Sequence, residues 1–318
     1  MLTLESIREA HARIAPLVHR TPVMSSRAFN REVGREVWFK CENFQRAGSF
    51  KMRGATNKIL MLGADERARG VAAFSSGNHA QAVALAARDA GTRAIIVMPE
   101  DAPRAKVAAT REYGAEIIFY DRQRDDRETV SRDVAERTGF VLVPPYDDYH
   151  VMSGQGTCAL ELLEEVRDLE AIVTPCGGGG LFAGASVASQ GIAAGTRCFA
   201  VEPETGDDTR QSFLTGERVT IPPPPTIADG ARVQSPGALT FPFVEQNAED
   251  VLTVSDAEIT ESVKFLLFRL KILIEPTGAL AVAAALFNKL PSNIRRIGVV
   301  ISGGNIDAAT LAQLVQEE

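Results

Sequence analysis

The 318-residue sequence has few cysteines, few histidines and no long apolar run free of charge. The most apolar segment, residues 265–274, is interrupted by Arg269 and Lys271, which favours a core helix over a membrane span. Residues 1–13 mix acidic and basic side chains and do not resemble a signal peptide, so we expect no export. The cysteines lack the paired spacing of zinc or redox sites, so we expect buried free thiols in a reducing cytoplasm; they are Cys41, Cys158, Cys176 and Cys198.

An excess of basic charge is also missing. The net charge of −7 argues against a nucleic-acid partner, because such proteins usually present a basic face to the phosphate backbone. Hydrophobic residues at 45% and charged residues at 24% are typical of globular proteins, which excludes disordered and fibrous classes. The length favours two lobes over one.

Apolar runs and helical patterns alternate along most of the chain. This alternation predicts an α/β fold with two open, mostly parallel sheets flanked by helices. We assign residues 1–53 and 147–318 to a large lobe and residues 54–146 to a small lobe. Residues 203–250 are expected to be irregular. The predicted strands span residues 36–40, 71–74, 94–98, 115–120, 140–143, 171–175, 197–202 and 297–301.

Four loops directly follow predicted strands, at the sheet edge where ligands of parallel sheets collect. Ser75–His79 could bind a carboxylate at a helix N-terminus, or could simply be a capped turn. Gly177–Gly180 has the form of a phosphate-binding loop, and it lacks the spacing of ATP or dinucleotide loops. Ser302–Asn305 presents a hydroxyl or forms an ordinary turn. Glu202–Asp208 could hold a divalent cation or be a solvated acidic loop.

Lys51 lies among small residues in the segment Ser49–Ala55. A lysine that can form an imine, a glycine loop for one phosphate and a serine hydroxyl for a ring nitrogen together describe a pyridoxal phosphate site. The motifs S-F-K-M-R-G-A, S-S-G-N-H-A-Q, G-Q-G-T, G-G-G-G-L, I-E-P-T-G-A and S-G-G-N occur in this order. They resemble the fold-type II pyridoxal phosphate enzymes, the fold of the tryptophan synthase β chain, in the serine/threonine dehydratase and serine racemase branch.

The resemblance implies a role for each motif. Lys51 would be the Schiff-base lysine and the base that removes the substrate Cα proton, with Phe50 against the cofactor ring. Asn78 would bind the ring hydroxyl and Ser302 the ring nitrogen. The phosphate would lie on Gly177, Gly178, Gly179 and Gly180.

The same resemblance implies substrate and metal contacts. The substrate carboxylate would lie on the loop that contains Ser75, Ser76, Asn78 and His79, and Ser76 would act as a second base in a racemase. Arg127 aligns loosely with a substrate-binding arginine. Glu202, the Gly206 carbonyl and Asp208 match a structural site for Mg, Ca or Mn.

The expected activity is dehydration of serine, threonine or threo-3-hydroxyaspartate, by a protein that the resemblance suggests is a homodimer. A racemase with side dehydratase activity is the close alternative. A nucleotide-dependent oxidoreductase and a non-catalytic cofactor-binding protein represent other classes. Some threonine dehydratases resemble this sequence in having a tyrosine at the position of Tyr146, where racemases usually have asparagine. Phe74 also differs from the histidine or small residue usual in the family. These two differences leave the identity of the substrate open.

Overall fold

The computed structural model describes residues 1–102, 104–121, 124–125 and 127–316. Its described strands form two sheets, one of six strands and one of four, with helices packed on them. The predicted α/β fold with two mostly parallel sheets is therefore confirmed. None of the described helices is long and apolar enough to cross a membrane.

The helices and strands follow one another along the chain in the alternation that the sequence predicts. The strands are β1 (Val23–Ser25), β2 (Glu36–Cys41), β3 (Val71–Phe74), β4 (Ala94–Pro99), β5 (Glu116–Tyr120), β6 (Val141–Leu142), β7 (Ala171–Pro175), β8 (Arg197–Pro203), β9 (Ala248–Val254) and β10 (Arg296–Ile301). The helices are α1 (Leu4–Ile14), α2 (Arg27–Val33), α3 (Lys51–Leu60), α4 (Ala64–Arg69), α5 (Asn78–Asp89), α6 (Arg104–Glu112), α7 (Arg127–Thr138), α8 (Tyr149–Glu165), α9 (Gly180–Ile192), α10 (Asp208–Thr215), α11 (Phe241–Asn247), α12 (Asp256–Phe265), α13 (Pro276–Leu286) and α14 (Ala308–Gln316).

The larger sheet has the strand order β1-β2-β10-β7-β8-β9. All neighbours are parallel except β1 and β2. Its central strands are buried on both faces, as expected for a parallel sheet covered by helices. Because β10 and β7 are neighbours, the loops that follow them, which contain Ser302 and the four glycines, lie at the same edge of the sheet.

The smaller sheet has the order β5-β4-β3-β6, and all its strands are parallel. These strands lie within the predicted small lobe, residues 54–146. The apolar core beneath them also includes Ile14, Val18 and Met52 from outside that range. The lobe boundaries therefore stay a prediction.

Residues 203–250 differ from the expected irregular connection, because they contain α10, α11 and the start of β9. β9 is an edge strand with an exposed Glu249 and a partly exposed Asp250, so it lacks the continuous apolar run that identified the central strands. The cysteines agree with expectation, since all four are buried free thiols.

Candidate active site

Lys51 is the first residue of α3, at the floor of a cavity of about 430 Å³. Its Nζ donates a hydrogen bond to the Pro145 carbonyl at 2.7 Å and lies 5.0 Å from the centre of the Phe50 ring. Burial away from water lowers the pKa of Lys51 to about 7. A large fraction of Lys51 is therefore an uncharged amine near neutral pH, which is the nucleophilic and basic form.

Ser302 lies next to Lys51, although 251 positions separate the two in the sequence. The Phe50 N–H donates to the Ser302 carbonyl at 3.0 Å, and Ser49 pairs with Gly303 in a short antiparallel bridge. Ser302 is buried and lines the same cavity as Phe50 and Lys51. The structure thus brings together the serine and the lysine that the sequence predicted for one cofactor.

The Ser75–His79 loop forms the entry to α5 and also lines this cavity. The Gly77 N–H donates to Ser75 Oγ at 3.0 Å. His79 is buried, and its Nε2 lies 2.8 Å from the Val143 carbonyl. Burial and the nearby charge of Lys51 lower the pKa of His79 to about 3, so the imidazole is neutral. Its visible task is to hold the start of α5 against the strand end at Val143.

Asn78 is held by two side chains that lie near the ends of β10 and α13. Its Nδ2 donates to Glu275 Oε1 at 2.5 Å, and its Oδ1 accepts from Asn305 Nδ2 at 2.9 Å. An amide nitrogen has two hydrogens, so within the part of the chain that the structure describes one N–H of Asn78 is left for a further acceptor. Burial and the charge of Asp229 raise the pKa of Glu275 to about 8.

The four glycines run from the end of β7 into α9. Gly179 has φ 88°, a left-handed conformation that glycine adopts without strain, and Gly180 begins the helix. A Cβ on Gly180 would lie 2.6 Å from Gln155 Oε1 and 2.8 Å from Tyr146 Cβ, so a side chain would obstruct this loop. The first N–H groups of α9 have no partner within the helix, which makes its N-terminus suited to a phosphate.

A larger surface groove of about 780 Å³ lies at the opposite edge of the small sheet, where β4 begins. It contains none of the predicted site residues. The smaller cavity is at the carboxyl ends of β3, β7 and β10, where ligands of parallel sheets bind, so we take it as the active site.

Several cavity residues were not singled out from the sequence. Glu275 stands in the motif I-E-P-T-G-A, for which no residue role was predicted; it lines the cavity and accepts a hydrogen bond from Asn78. Lys106 of α6 and Asp229 of the large lobe form an ion pair of 2.5 Å on the cavity wall. Arg53, two residues after Lys51, points away from the cavity into a fully buried network of charges.

The predicted cation residues lie apart from the cavity. Glu202 and Asp208 are buried, and burial raises the pKa of both carboxyls. The charge of Asp208 raises the pKa of Glu202 further. Glu202 accepts from the N–H groups of Thr209 and Arg210, whereas neither Asp208 oxygen has a hydrogen-bond donor among the described residues. No group of three or more histidine, cysteine or acidic ligands occurs among the residues that the structure describes.

Arg127, the predicted substrate contact, begins α7, but its side chain lies outside the described residues. It therefore enters none of the contacts above.

The residues present fit pyridoxal phosphate. Four features line one cavity: a half-buried lysine, a serine at a strand end, an amide with a hydrogen left to donate, and a glycine loop in which side chains would clash with Tyr146 and Gln155. The fold and site together define an α/β enzyme that uses a phosphorylated carbonyl cofactor.

Comparison with known proteins agrees with this class. Residues 14–303 match the family model described as pyridoxal-phosphate dependent enzyme. The chain is 48% identical to L-threo-3-hydroxyaspartate ammonia-lyase of Saccharomyces cerevisiae, covering 98% of this chain and 96% of that protein. It is 47% identical to serine racemase of Schizosaccharomyces pombe, covering 99% and 98% respectively. The solved structure of maize serine racemase superposes with a TM-score of 0.95 at 46% identity, covering 99% of this chain and 97% of that one.

The protein therefore belongs to the family of pyridoxal-phosphate dependent enzymes. The glycine loop was the main argument for a nucleotide-dependent oxidoreductase. Because the chain belongs to a family that uses pyridoxal phosphate, that argument no longer applies.

Proposed function

We propose that the protein is a pyridoxal phosphate-dependent ammonia-lyase that dehydrates a β-hydroxy amino acid, L-threonine, L-serine or threo-3-hydroxyaspartate, to a 2-oxo acid and ammonia. The observation that carries this proposal is the half-buried Lys51 amine, which lines the cavity and whose pKa is lowered to about 7 by removal from water. The similarity to a hydroxyaspartate ammonia-lyase supports the reaction type.

The bound cofactor would supply an electron-withdrawing ring that acidifies the substrate Cα–H. Gly177–Gly180 would hold its phosphate with backbone N–H groups at the start of α9. Ser302 would meet the ring nitrogen through a neutral hydroxyl, and Phe50 would pack against the ring. The free N–H of Asn78 would meet the ring hydroxyl, with Glu275 and Asn305 fixing the orientation of the amide.

Lys51 would bind the cofactor carbonyl and later accept the substrate Cα proton on Nζ. The Pro145 carbonyl orients this nitrogen by accepting its hydrogen bond. Because a hydroxyl opposite the ring nitrogen does not stabilise a protonated ring as an aspartate would, we expect prompt loss of the β-hydroxyl.

The substrate carboxylate would lie on the Ser75–His79 loop. Ser75, Ser76 and the first N–H groups of α5 supply donors there. His79 would hold this loop in position through its hydrogen bond to the Val143 carbonyl. Arg127 stays a proposed substrate contact on the resemblance alone.

Racemisation is the second candidate, and one observation favours it. Ser76 lines the same cavity as Lys51, so two proton carriers are available to one substrate. The similarity to serine racemases of yeast and maize supports this candidate as well.

The dehydratase proposal is tested with purified holoprotein and its Lys51→Ala variant. We expect 2-oxo acid release from at least one of the three substrates, and its loss in the variant. Borohydride reduction should add the mass of the reduced cofactor to the tryptic peptide that contains Lys51. A Lys51→Ala protein with appreciable turnover would refute the role of this lysine.

We further propose that Glu202, the Gly206 carbonyl and Asp208 hold a divalent cation, Mg, Ca or Mn. Two buried carboxylates that are close enough to interact require a proton or a cation for compensation, and within the described ranges no group donates a hydrogen bond to the Asp208 carboxylate. We also propose that the protein is a homodimer, because Phe268 and Leu273 expose apolar side chains. A cytoplasmic location is proposed as well, because the cysteines are free thiols.

A further inference from the structure

The Lys106–Asp229 ion pair crosses the active-site cavity. Lys106 lies on α6 of the smaller sheet, and Asp229 lies in a short 3₁₀ turn of the larger lobe. Lys106 Nζ is 2.5 Å from Asp229 Oδ2, and both residues line the cavity that contains Lys51. Nζ is also about 4.0 Å from the position that a Cβ on Gly77 would occupy, next to the proposed carboxylate loop.

Lys106 differs from the other described cations of this cavity in having an exchangeable partner. Lys51 is assigned to the cofactor, and the Arg232 guanidinium is bound to the Thr226 carbonyl. The Lys106 side chain is 17% exposed, whereas Asp229 is 45% exposed and so can return to water at little cost. Thr277 Oγ1, 3.4 Å from Asp229 Oδ1, offers the released carboxylate another contact.

We propose that Lys106 is a specificity-determining residue that binds the second carboxylate of a dicarboxylic substrate, with Asp229 as the counter-ion that this carboxylate displaces. The inference rests on the proposed function and narrows its substrate class to β-hydroxy amino acids with a β-carboxylate. A substrate with a neutral side chain leaves Lys106 paired with Asp229 and gains nothing from the cation.

A purely structural role is the alternative, in which the ion pair only holds the two sides of the cavity together. Two variants separate these roles, because both break the ion pair and one of them removes the cation. Lys106→Gln removes the positive charge. Asp229→Asn keeps the positive charge of Lys106 and removes the negative charge that pairs with it, because the asparagine amide has nearly the same shape as the carboxylate but no charge.

The readout is the ratio of kcat/KM for threo-3-hydroxyaspartate to kcat/KM for threonine. Lys106→Gln should lower this ratio about 10- to 100-fold, the range expected when a charged hydrogen bond is lost from a partly buried site. Asp229→Asn should leave the ratio unchanged or raise it, and Lys106→Arg should retain most of it. A ratio that is unchanged in Lys106→Gln, or that falls in both variants, would overturn the proposal.

Binding of inert acids provides a test that does not depend on turnover. Succinate and butyrate share a four-carbon chain and differ by the second carboxylate. The holoprotein should be stabilised against heat more by succinate than by butyrate, and Lys106→Gln should abolish the difference. Equal effects of both acids on the unmutated holoprotein would contradict the role of Lys106.

The two proposals fail in different ways. If the unmutated protein releases no 2-oxo acid from any substrate, the dehydratase proposal fails, while the succinate preference still decides the role of Lys106. If dehydration occurs but the succinate preference is absent, only the inference about Lys106 fails.

Discussion

Replacement of Arg53 by methionine is expected to destabilise the protein strongly without touching the cavity. Arg53 is fully buried, and its guanidinium lies 2.7 Å from Glu42 and 2.8 Å from Glu161. Lys40 is the other buried cation of this network, at 2.6 Å from Glu161. Methionine fills much of the same space but leaves two buried carboxylates with a single cation.

The magnitude follows from this loss of charge compensation. Removing one partner of a buried ion pair costs about 3–5 kcal/mol, because the remaining charge stays out of water. For 318 residues the unfolding entropy is about 0.67 kcal/mol per kelvin, so the melting temperature should fall by about 5–7 °C.

The effect should also depend on pH. Burial alone would raise the pKa of Glu161, but hydrogen bonds from His11 and Arg53 and the charges of Arg53 and Lys40 hold it well below its usual value of 4.5. A lowered carboxyl pKa contributes stability that is present above the unfolded value and lost as pH falls below it. The gap between Arg53→Met and the unmutated protein should therefore be widest near pH 7 and narrow below about pH 4.5.

Urea denaturation of both proteins at pH 7 and pH 4 measures this gap. Arg20→Met is the matched control, since Arg20 pairs with Glu164 at 3.6 Å and both side chains are half exposed. The control should cost less than about 1 kcal/mol. An Arg53→Met protein that loses no more stability than Arg20→Met would refute the assignment of this network as a buried, mutually compensated cluster.

Two further predictions concern the bases and the proposed cation. Ser76→Ala should reduce the rate of serine racemisation at least about tenfold more than the rate of dehydration of the L-substrate, since general-base groups contribute about 10²-fold or more to rate. A chiral product assay measures both rates, and equal losses would contradict the assignment of Ser76 as a second base. Chelation should lower the melting temperature of the unmutated protein, because the buried carboxylates of Glu202 and Asp208 lose their compensating charge. The melting temperature of the double variant Glu202→Gln and Asp208→Asn should not respond to the chelator. An unmutated protein whose melting temperature is unaffected by complete metal removal would exclude the cation.

The sequence predicted the regular part of the fold closely. The strands predicted at residues 71–74 and 171–175 occur at those positions, because central parallel strands are buried on both faces and appear as continuous apolar runs. β9 was missed, because an edge strand needs no such run. The helix that begins at Asp256 changes at Leu266 to a π-helical turn, which ends before Lys271, a residue with φ 63°.

The sequence by itself also determined the family and the chemical type of the site. Lys51, the four glycines and Ser302 each stand in a short motif, and each follows or precedes an apolar strand that the sequence shows. Each of these motifs consists of residues that are adjacent in the sequence, so it can be recognised without the structure. The topology that places their loops at one edge follows from the alternation of strands and helices.

The tertiary structure alone decided which side chains surround that lysine and what their charges are. Glu275 reaches Asn78 across 197 positions, and Lys106 reaches Asp229 across 123. No local pattern reports such pairs, because their members lie far apart in the sequence and come together only when the chain folds. Burial has the same origin: the low pKa of Lys51 arises from its removal from water, and so it exists only in the folded chain.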